Sequence, residues 1–550
     1  MQSSEPGQAP LTRRGFIRAG AGLGLGVLGV PLLDACGKVT GSSGYGSTSG
    51  VLRIAMTAGN IPFPATPPDQ GYEGYRFVGN NIYDGLTRFN LDQNKTIPTP
   101  QPALAQSWTL SADKLTWTFH LRRGVTFQDG TPFNADAVIF QINRMKDPKF
   151  QYYSAIDAPR YGSYFLFFKS WKKIDDYTVA ITTPKPYAWL TYDLAGIYFP
   201  SPTVVKKYGN TNYNQHAIGT GPFKIKKYVD GQVMVLEANE HYWRGRPKLD
   251  EVVLYPMPEA ATRLSALESG EVDWAEVPSP DALSQMKGDG YVVYMGKYPH
   301  GIMPRFNMFR KPFKGNLKLR QALNYALDRV GTADLINNVG YPARQYVYPG
   351  HPDYAPNNPG YDYDPAKARK LLAESGYKPG ELRINMAYTT GGSGNMFPDI
   401  MMQKLQADFK AIGVEVSLEP MEWDTLITIS LATLKSPQWK NVDILWSSPS
   451  AGMTPTGYNT TFQCMQSADT PNASGICNEQ MQADYQTAAG TFDVAQSHKD
   501  LQKMMNIAVD NAYFLFWMHD LNLRVMSPKV HGFVEPKSWW VDFQNITVDG

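Results

Sequence analysis

Leu115-Thr116-Trp117-Thr118-Phe119-His120-Leu121-Arg122 alternates apolar and polar residues, the period of a half-buried strand, and runs into Gly124-Val125-Thr126-Phe127-Gln128-Asp129-Gly130. The Asp129-Gly130 pair predicts a tight turn, and Asn134 predicts the cap of a helix that begins at Ala135. Outward from this unit, Phe223 to Val229, Asp230-Gly231 and Val233 to Leu236 predict a β-hairpin. Upstream, Leu52, Ile54 and Met56 fall on one side of an extended segment, the first core strand. Pro62, Pro64, Pro67 and Pro68 then make Ala58 to Gly71 a loop, because proline neither continues a helix nor donates to a central ladder.

Helices concentrate later. Leu319, Ala322, Leu323, Ala326 and Leu327 form one apolar stripe; Asp364-Pro365 starts a helix through Ala368, Leu371 and Leu372 that Gly376 stops; Met401 to Ala411 is a third amphipathic segment. The 550 residues carry 52 basic and 50 acidic side chains, 43% hydrophobic residues, 41 prolines, 48 glycines and 32 tyrosines. That length allows about three structural units, and so much proline and glycine argues against long bundles, leaving a mixed α and β chain. A formal charge of +2 lacks the basic surplus that nucleic acid or an acidic membrane calls for, so no nucleic-acid partner is expected.

The N-terminus reads as an address. Arg13-Arg14 before Phe16 resembles a twin-arginine export signal, and the uncharged run Ala19 to Leu33 is 15 residues, shorter than the roughly 20 a spanning helix needs. Leu33-Asp34-Ala35-Cys36 resembles a lipoprotein cleavage box, with Asp34 where a small or apolar residue is usual; cleavage by an ordinary signal peptidase is the alternative. Of the 14 residues Gly37 to Gly50, 11 are Gly, Ser or Thr, the composition of a flexible tether behind an anchored Cys36. The expected location is therefore the periplasm or the cell-envelope surface.

No His-Glu-x-x-His, no helix-spaced histidine pair, no Gly-x-Ser-x-Gly elbow and no P-loop occurs, so no catalytic residue, metal or cofactor is assigned and the chain is read as a non-enzyme.

Several stretches, in unbroken order, resemble the extracellular solute-binding proteins of peptide-type ABC importers, solute-binding family 5. They are Tyr83-Asp84-Gly85-Leu86; Leu104 to Trp108; Trp117 to Arg122 with Gly124-Val125 and Phe127 to Gly130; Gly219 to Phe223; Tyr242-Trp243; Gly270 to Asp273; Arg320 to Asp328; and Ala368 to Ala373. The resemblance implies an α/β, two-lobed periplasmic-binding-protein fold (type II) with an extra subdomain inserted in the first lobe. On it, residues 1–35 are the signal peptide, 36–50 the tether, 51–305 lobe I with the insertion at about 91–200, 306–513 lobe II, and 514–550 the return to lobe I through Phe514 to Trp517. It also implies a monomer whose partners are a ligand and ABC permease subunits with cytoplasmic ATPases. Cys464 and Cys477, the only cysteines after Cys36, are expected to pair in an oxidising compartment, and the family often has a clipped loop in this region.

Aromatics and a few polar anchors are expected to line the interlobe cleft: Asn60, Pro62 and Phe63 with Ile61; Tyr83; Thr389 and Thr390 beside Gly391-Gly392; Trp423; and Trp446, Ser447 and Ser448. For Trp446, cleft and core are both open. In dipeptide and oligopeptide receptors the segment after that tryptophan contributes an aspartate for the ligand ammonium, and dipeptide receptors offer an arginine near Ala387 to Asn395; neither is present. The expected lining is neutral, suited to an end-blocked or longer peptide, or to an oligosaccharide or other polyhydroxylated nutrient, with free dipeptides bound weakly. Outside the import class, an envelope enzyme and a receptor that only signals are the alternatives. Cys36→Ser is expected to release the protein from membranes in a fractionation experiment; a wild type that is already soluble, starting at another residue, would contradict the anchor.

Overall fold

The computed structural model describes residues 50–68, 71–431, 439–450, 453–462, 464 and 475–550; the signal, Cys36 and nearly all of the tether lie outside them. Among the described residues no helix is long and apolar enough to cross a membrane.

A seven-stranded sheet forms lobe I, in the spatial order Val292–Tyr294, Arg524–Met526, Trp274–Glu276, Val51–Met56, Glu251–Pro256, Val233–Ala238, Phe223–Val229. Val51–Met56 is central and parallel to both neighbours. It is covered on both faces, which is why Ala55 is as buried as Ile54 and why Arg53, on the polar side of the alternation, must bond the Asp273 carboxylate at 3.0 Å. Gly50, assigned to the tether, already belongs to this lobe: its N–H donates to the Val548 carbonyl at 3.2 Å.

The stretch expected as the insertion holds a four-stranded antiparallel sheet, Ala105–Leu110, Thr116–Leu121, Thr178–Thr182, Ser170–Asp175. Thr116–Leu121 buries Trp117, Phe119 and Leu121 in strict alternation. The Asn134 side chain accepts from the Ala137 N–H and caps helix Ala135–Lys146. Gly130, at φ 81°, makes the turn after Phe127.

Lobe II is built on a second sheet, Arg305–Phe306, Ile444–Leu445, Leu382–Thr389, Val414–Met421, the last three mutually parallel. Helices Leu317–Ala326, Pro365–Glu374 and Pro398–Lys410 cover it. The C-terminal helices Glu479–Gly490 and Val494–Asp510, placed by sequence in lobe II, bury their apolar faces in the insertion's core instead. The Trp189 and Tyr485 rings are 5.4 Å apart, and the Ala188 N–H donates to Ala489 at 2.7 Å.

Among the described residues, two segments run between the lobes, near 298–305 and 514–523, and they pair with each other. Ile302 N–H donates to Met518 at 2.7 Å and Leu515 N–H to Pro304 at 3.0 Å, while Met518–Asp520 pairs with Gly340–Pro342.

Cys464 and Cys477 lie with their sulfurs at bonding distance, 2.07 Å; residues 465–474 between them are outside the described set. Non-reducing peptide mapping is expected to recover this linked pair, and reduction to cost about 3 kcal/mol for a loop of this length. Alkylation of both thiols in protein taken from the envelope would contradict it.

Candidate functional site

A cavity of about 350 Å³ opens where the crossings, the insertion and lobe II meet. Its lobe II wall comes from loops that follow parallel strands: Ser393 and Gly394 after Leu382–Thr389, and Ser447 to Ser450 after Ile444–Leu445. The carboxyl ends of parallel strands are where open α/β sheets leave a crevice, because the chain must diverge there into its connections. Trp423 and Ile427 reach in from helix Trp423–Leu431. The insertion supplies Pro159, Arg160, Ser163 and Tyr164; the crossings supply His300, Arg305 and Phe514; Tyr346, Thr454, Thr456 and Thr461 close the remaining side.

Local geometry holds these groups. A Cβ at Gly392, which sits at φ 96°, would come within 2.7 Å of the Trp423 ring, so only glycine lets the indole lie over this loop. His300 Nδ1 is 3.0 Å from an Asp520 oxygen and Nε2 is 3.1 Å from the Ser448 carbonyl, so one ring spans both crossings and the lobe II loop. The other Asp520 oxygen accepts from the Tyr298 hydroxyl at 2.8 Å.

The lobes also touch at the rim. Thr57 Oγ1 donates to the Gly392 carbonyl at 3.0 Å, Gly392 N–H donates back to Thr57 at 3.2 Å, and Glu73 N–H donates to Ser393 Oγ at 3.1 Å. Asn60 Nδ2 is 3.4 Å from Asp424 on the same seam.

Of the residues expected in the cleft, Trp423, Ser447 and Ser448 line the cavity. Trp446 does not. Its side chain is fully buried in lobe II, Nε1 donates to Asn395 Oδ1 at 2.6 Å, and its ring packs edge-on against Trp517 at 6.1 Å. Tyr83 is buried with its hydroxyl donating to the Pro64 carbonyl, and it borders a separate cavity of about 50 Å³. Phe63 faces an open groove of about 780 Å³ elsewhere, and Pro62 is buried away from the cleft. Thr389 is buried and bonds the Gly391 carbonyl, whereas Thr390 is exposed outside the cavity.

The neutral lining is also corrected: Arg160, Arg305 and His300 face the cavity, and no Asp or Glu does among the described residues. The cations come from the lobe crossing and the insertion, segments with no motif that marks them as ligand-facing. Among the described residues no group of three or more His, Cys, Asp or Glu could hold a metal ion.

Trp446→Ala is expected to cost about 3–5 kcal/mol of stability in denaturant melts, as for a large core aromatic. Trp423→Ala should leave the melt nearly unchanged and weaken ligand binding roughly tenfold by calorimetry, the loss of about 1.4 kcal/mol of ring contact. The reverse pattern would exchange their roles.

Residues 99–470 match the model of bacterial extracellular solute-binding proteins, family 5, middle. The chain is 29% identical over 498 residues to heme-binding protein A of Haemophilus influenzae, covering 86% of this chain and 88% of that protein. It is 27% identical over 541 residues to the dipeptide-binding protein of Escherichia coli, covering 91% and 98%. Among solved structures it is similar to the ABC transporter-associated periplasmic binding protein DppA of Helicobacter pylori in complex with the peptide STSA, with a TM-score of 0.80, 25% identity, and coverage of 91% and 98%. These relatives are binding proteins rather than enzymes. A family match across most of the chain, joined to two sheets, paired crossings and a cavity between them, shows that the chain belongs to the family 5 bacterial extracellular solute-binding proteins, with their type II fold.

Proposed function

We propose that this protein is the solute-capturing subunit of an ABC importer. It is exported, held at the cell envelope through a lipid on Cys36, closes on one ligand molecule as a monomer, and delivers it to permease subunits driven by cytoplasmic ATPases. The observation that carries this reading is the 350 Å³ cavity, whose walls come from the insertion, from both crossings, from several lobe II segments and from Gly71 of lobe I. A site assembled from separately folded parts changes shape when those parts move, which is what capture and release require. The relatives named for dipeptide and heme binding, and the neighbour that holds a four-residue peptide, support an organic solute of modest size. The cavity holds about a dozen water-sized groups at roughly 30 Å³ each, room for a short peptide or a small saccharide. Trp423, Ser447 and Ser448 are proposed ligand contacts.

Native mass spectrometry of protein taken from the envelope is expected to show one small molecule bound without covalent change. Adding that compound back to stripped protein should compact it in solution scattering, since a ligand closes the lobes only by binding the closed form better. No adduct, together with identical scattering curves, would refute capture, and chemical turnover of the bound compound would favour the enzyme alternative.

A further inference from the structure

The buried arginines of this protein are partnered. Arg53 bonds Asp273 and Arg76 pairs with Glu276 at 2.7 Å; Arg144 bonds Asp157 and Arg524 pairs with Glu535 at 3.1 Å. Arg263, Arg320 and Arg329 spend their donors on backbone carbonyls, at 2.7 Å to Val277, 2.9 Å to Asn511 and 2.6 Å to Phe516. Arg305 breaks the pattern. It lies on the strand Arg305–Phe306, where successive side chains face opposite ways; Phe306 is fully buried in the lobe II core, and Arg305 therefore turns to the cavity. The residue as a whole is half-buried, its Nε is buried without a hydrogen-bond partner, as are those of Arg76 and Arg524, and unlike those two it has no ion pair among the described residues. Burial pushes its pKa down to about 10, so it still carries its charge near neutral pH.

A half-buried guanidinium facing a cavity gains most from a partner that neutralises it, and a planar carboxylate matches its fork of donors. The described walls offer Arg305 hydroxyls, backbone groups, aromatic rings and two further basic side chains, Arg160 and His300, but no carboxylate. Resting on the capture reading above, we propose that the ligand itself supplies the missing anion: a small organic acid whose carboxylate docks on Arg305, whose hydroxyl or amide groups face the Ser and Thr lining, and which has no free ammonium group. The last condition follows from the same inventory, because no described carboxylate lines the cavity to receive an ammonium. An N-blocked peptide acid and a sugar acid share this chemistry. The anchor comes from the crossing between the lobes, not from the segment Ala387 to Asn395, which holds no arginine.

The test uses the wild type and Arg305→Met, both stripped of ligand by unfolding and refolding with the disulfide intact. Because the unpaired charge is a cost in the empty protein, Arg305→Met is expected to raise the melting temperature by about 1–2 °C; a clear fall would make Arg305 structural and overturn the proposal. Calorimetry then compares N-acetyl-alanyl-alanine with its C-terminal amide, glucuronate with glucose, and unblocked alanyl-alanine with its N-acetylated form. In whichever pair binds, the acid should be at least roughly tenfold tighter than its neutral twin for the wild type, and within about threefold for Arg305→Met. Equal binding of acid and neutral twin by the wild type would overturn the anion claim, and alanyl-alanine as tight as the N-acetylated acid would overturn the exclusion of an ammonium. If no probe binds, the melting comparison decides alone. A neutral compound that binds and compacts the protein leaves capture standing while this proposal falls; absence of any co-purified compound and of compaction removes capture itself.

Discussion

Two arginines sealed from water in lobe I, Arg76 and Arg524, hold the working geometry together. Arg76 pairs with Glu276 and lies 3.7 Å from Glu73; Arg524 pairs with Glu535 and lies 3.5 Å from the other Glu276 oxygen. Those five residues come from the segment beside the proline-rich loop, from a central strand, from the return strand and from the C-terminal tail. Burial drives the Glu535 carboxyl up to about 7 and raises Glu73, the mark of charges with no solvent to share. Losing one partner from such a set costs several kcal/mol because the remainder stays buried and uncompensated, so the four segments are locked into one arrangement. Glu73 then reaches outward, its N–H meeting Ser393 at the edge of the cavity. The rigid core of one lobe thereby fixes where the other lobe's loop rests.

The cavity between the lobes is built differently from that core. Its walls are loop ends, a short helix and the crossings, held by single hydrogen bonds such as those of Thr57 with Gly392 and of His300 with Asp520 and Ser448. These contacts are individually modest, about 1 kcal/mol each, and can exchange for contacts with water when the lobes part. The two regions thus rest on different chemistry: buried ion pairs in the core of lobe I, isolated hydrogen bonds around the cavity.

The cleft residues chosen from sequence divide on one physical criterion, whether a side chain has already spent its polar groups inside the protein. Tyr83, Thr389 and Trp446 have: each hydroxyl or indole N–H finds a partner a short distance away, and each is buried as packing. Ser447 and Ser448 follow the same apolar strand as Trp446 and do reach the cavity, since the strand ends at Leu445 and the loop beyond it diverges toward the cleft. Trp423 opens a helix and lies over a glycine, so its ring has a support on one side and open space on the other. Arg305 escaped notice because the two-residue strand that aims it is too short to leave a periodic pattern.

Alternation, caps and turn pairs determined the local elements by themselves: the strands Val51–Met56 and Thr116–Leu121, the hairpin around Asp230-Gly231, and the helices after Asn134 and Asp364 all rest on interactions spanning a few residues. The ordered run of motifs carried the family as well. Only tertiary structure decided that the C-terminal helical pair joins the insertion's core, that Trp446 lies inside, and that an unpaired guanidinium faces the cavity. Each of these depends on which groups from distant segments arrive as neighbours. A side chain's charge is written in the sequence, but whether that charge is neutralised is a property of the space around it.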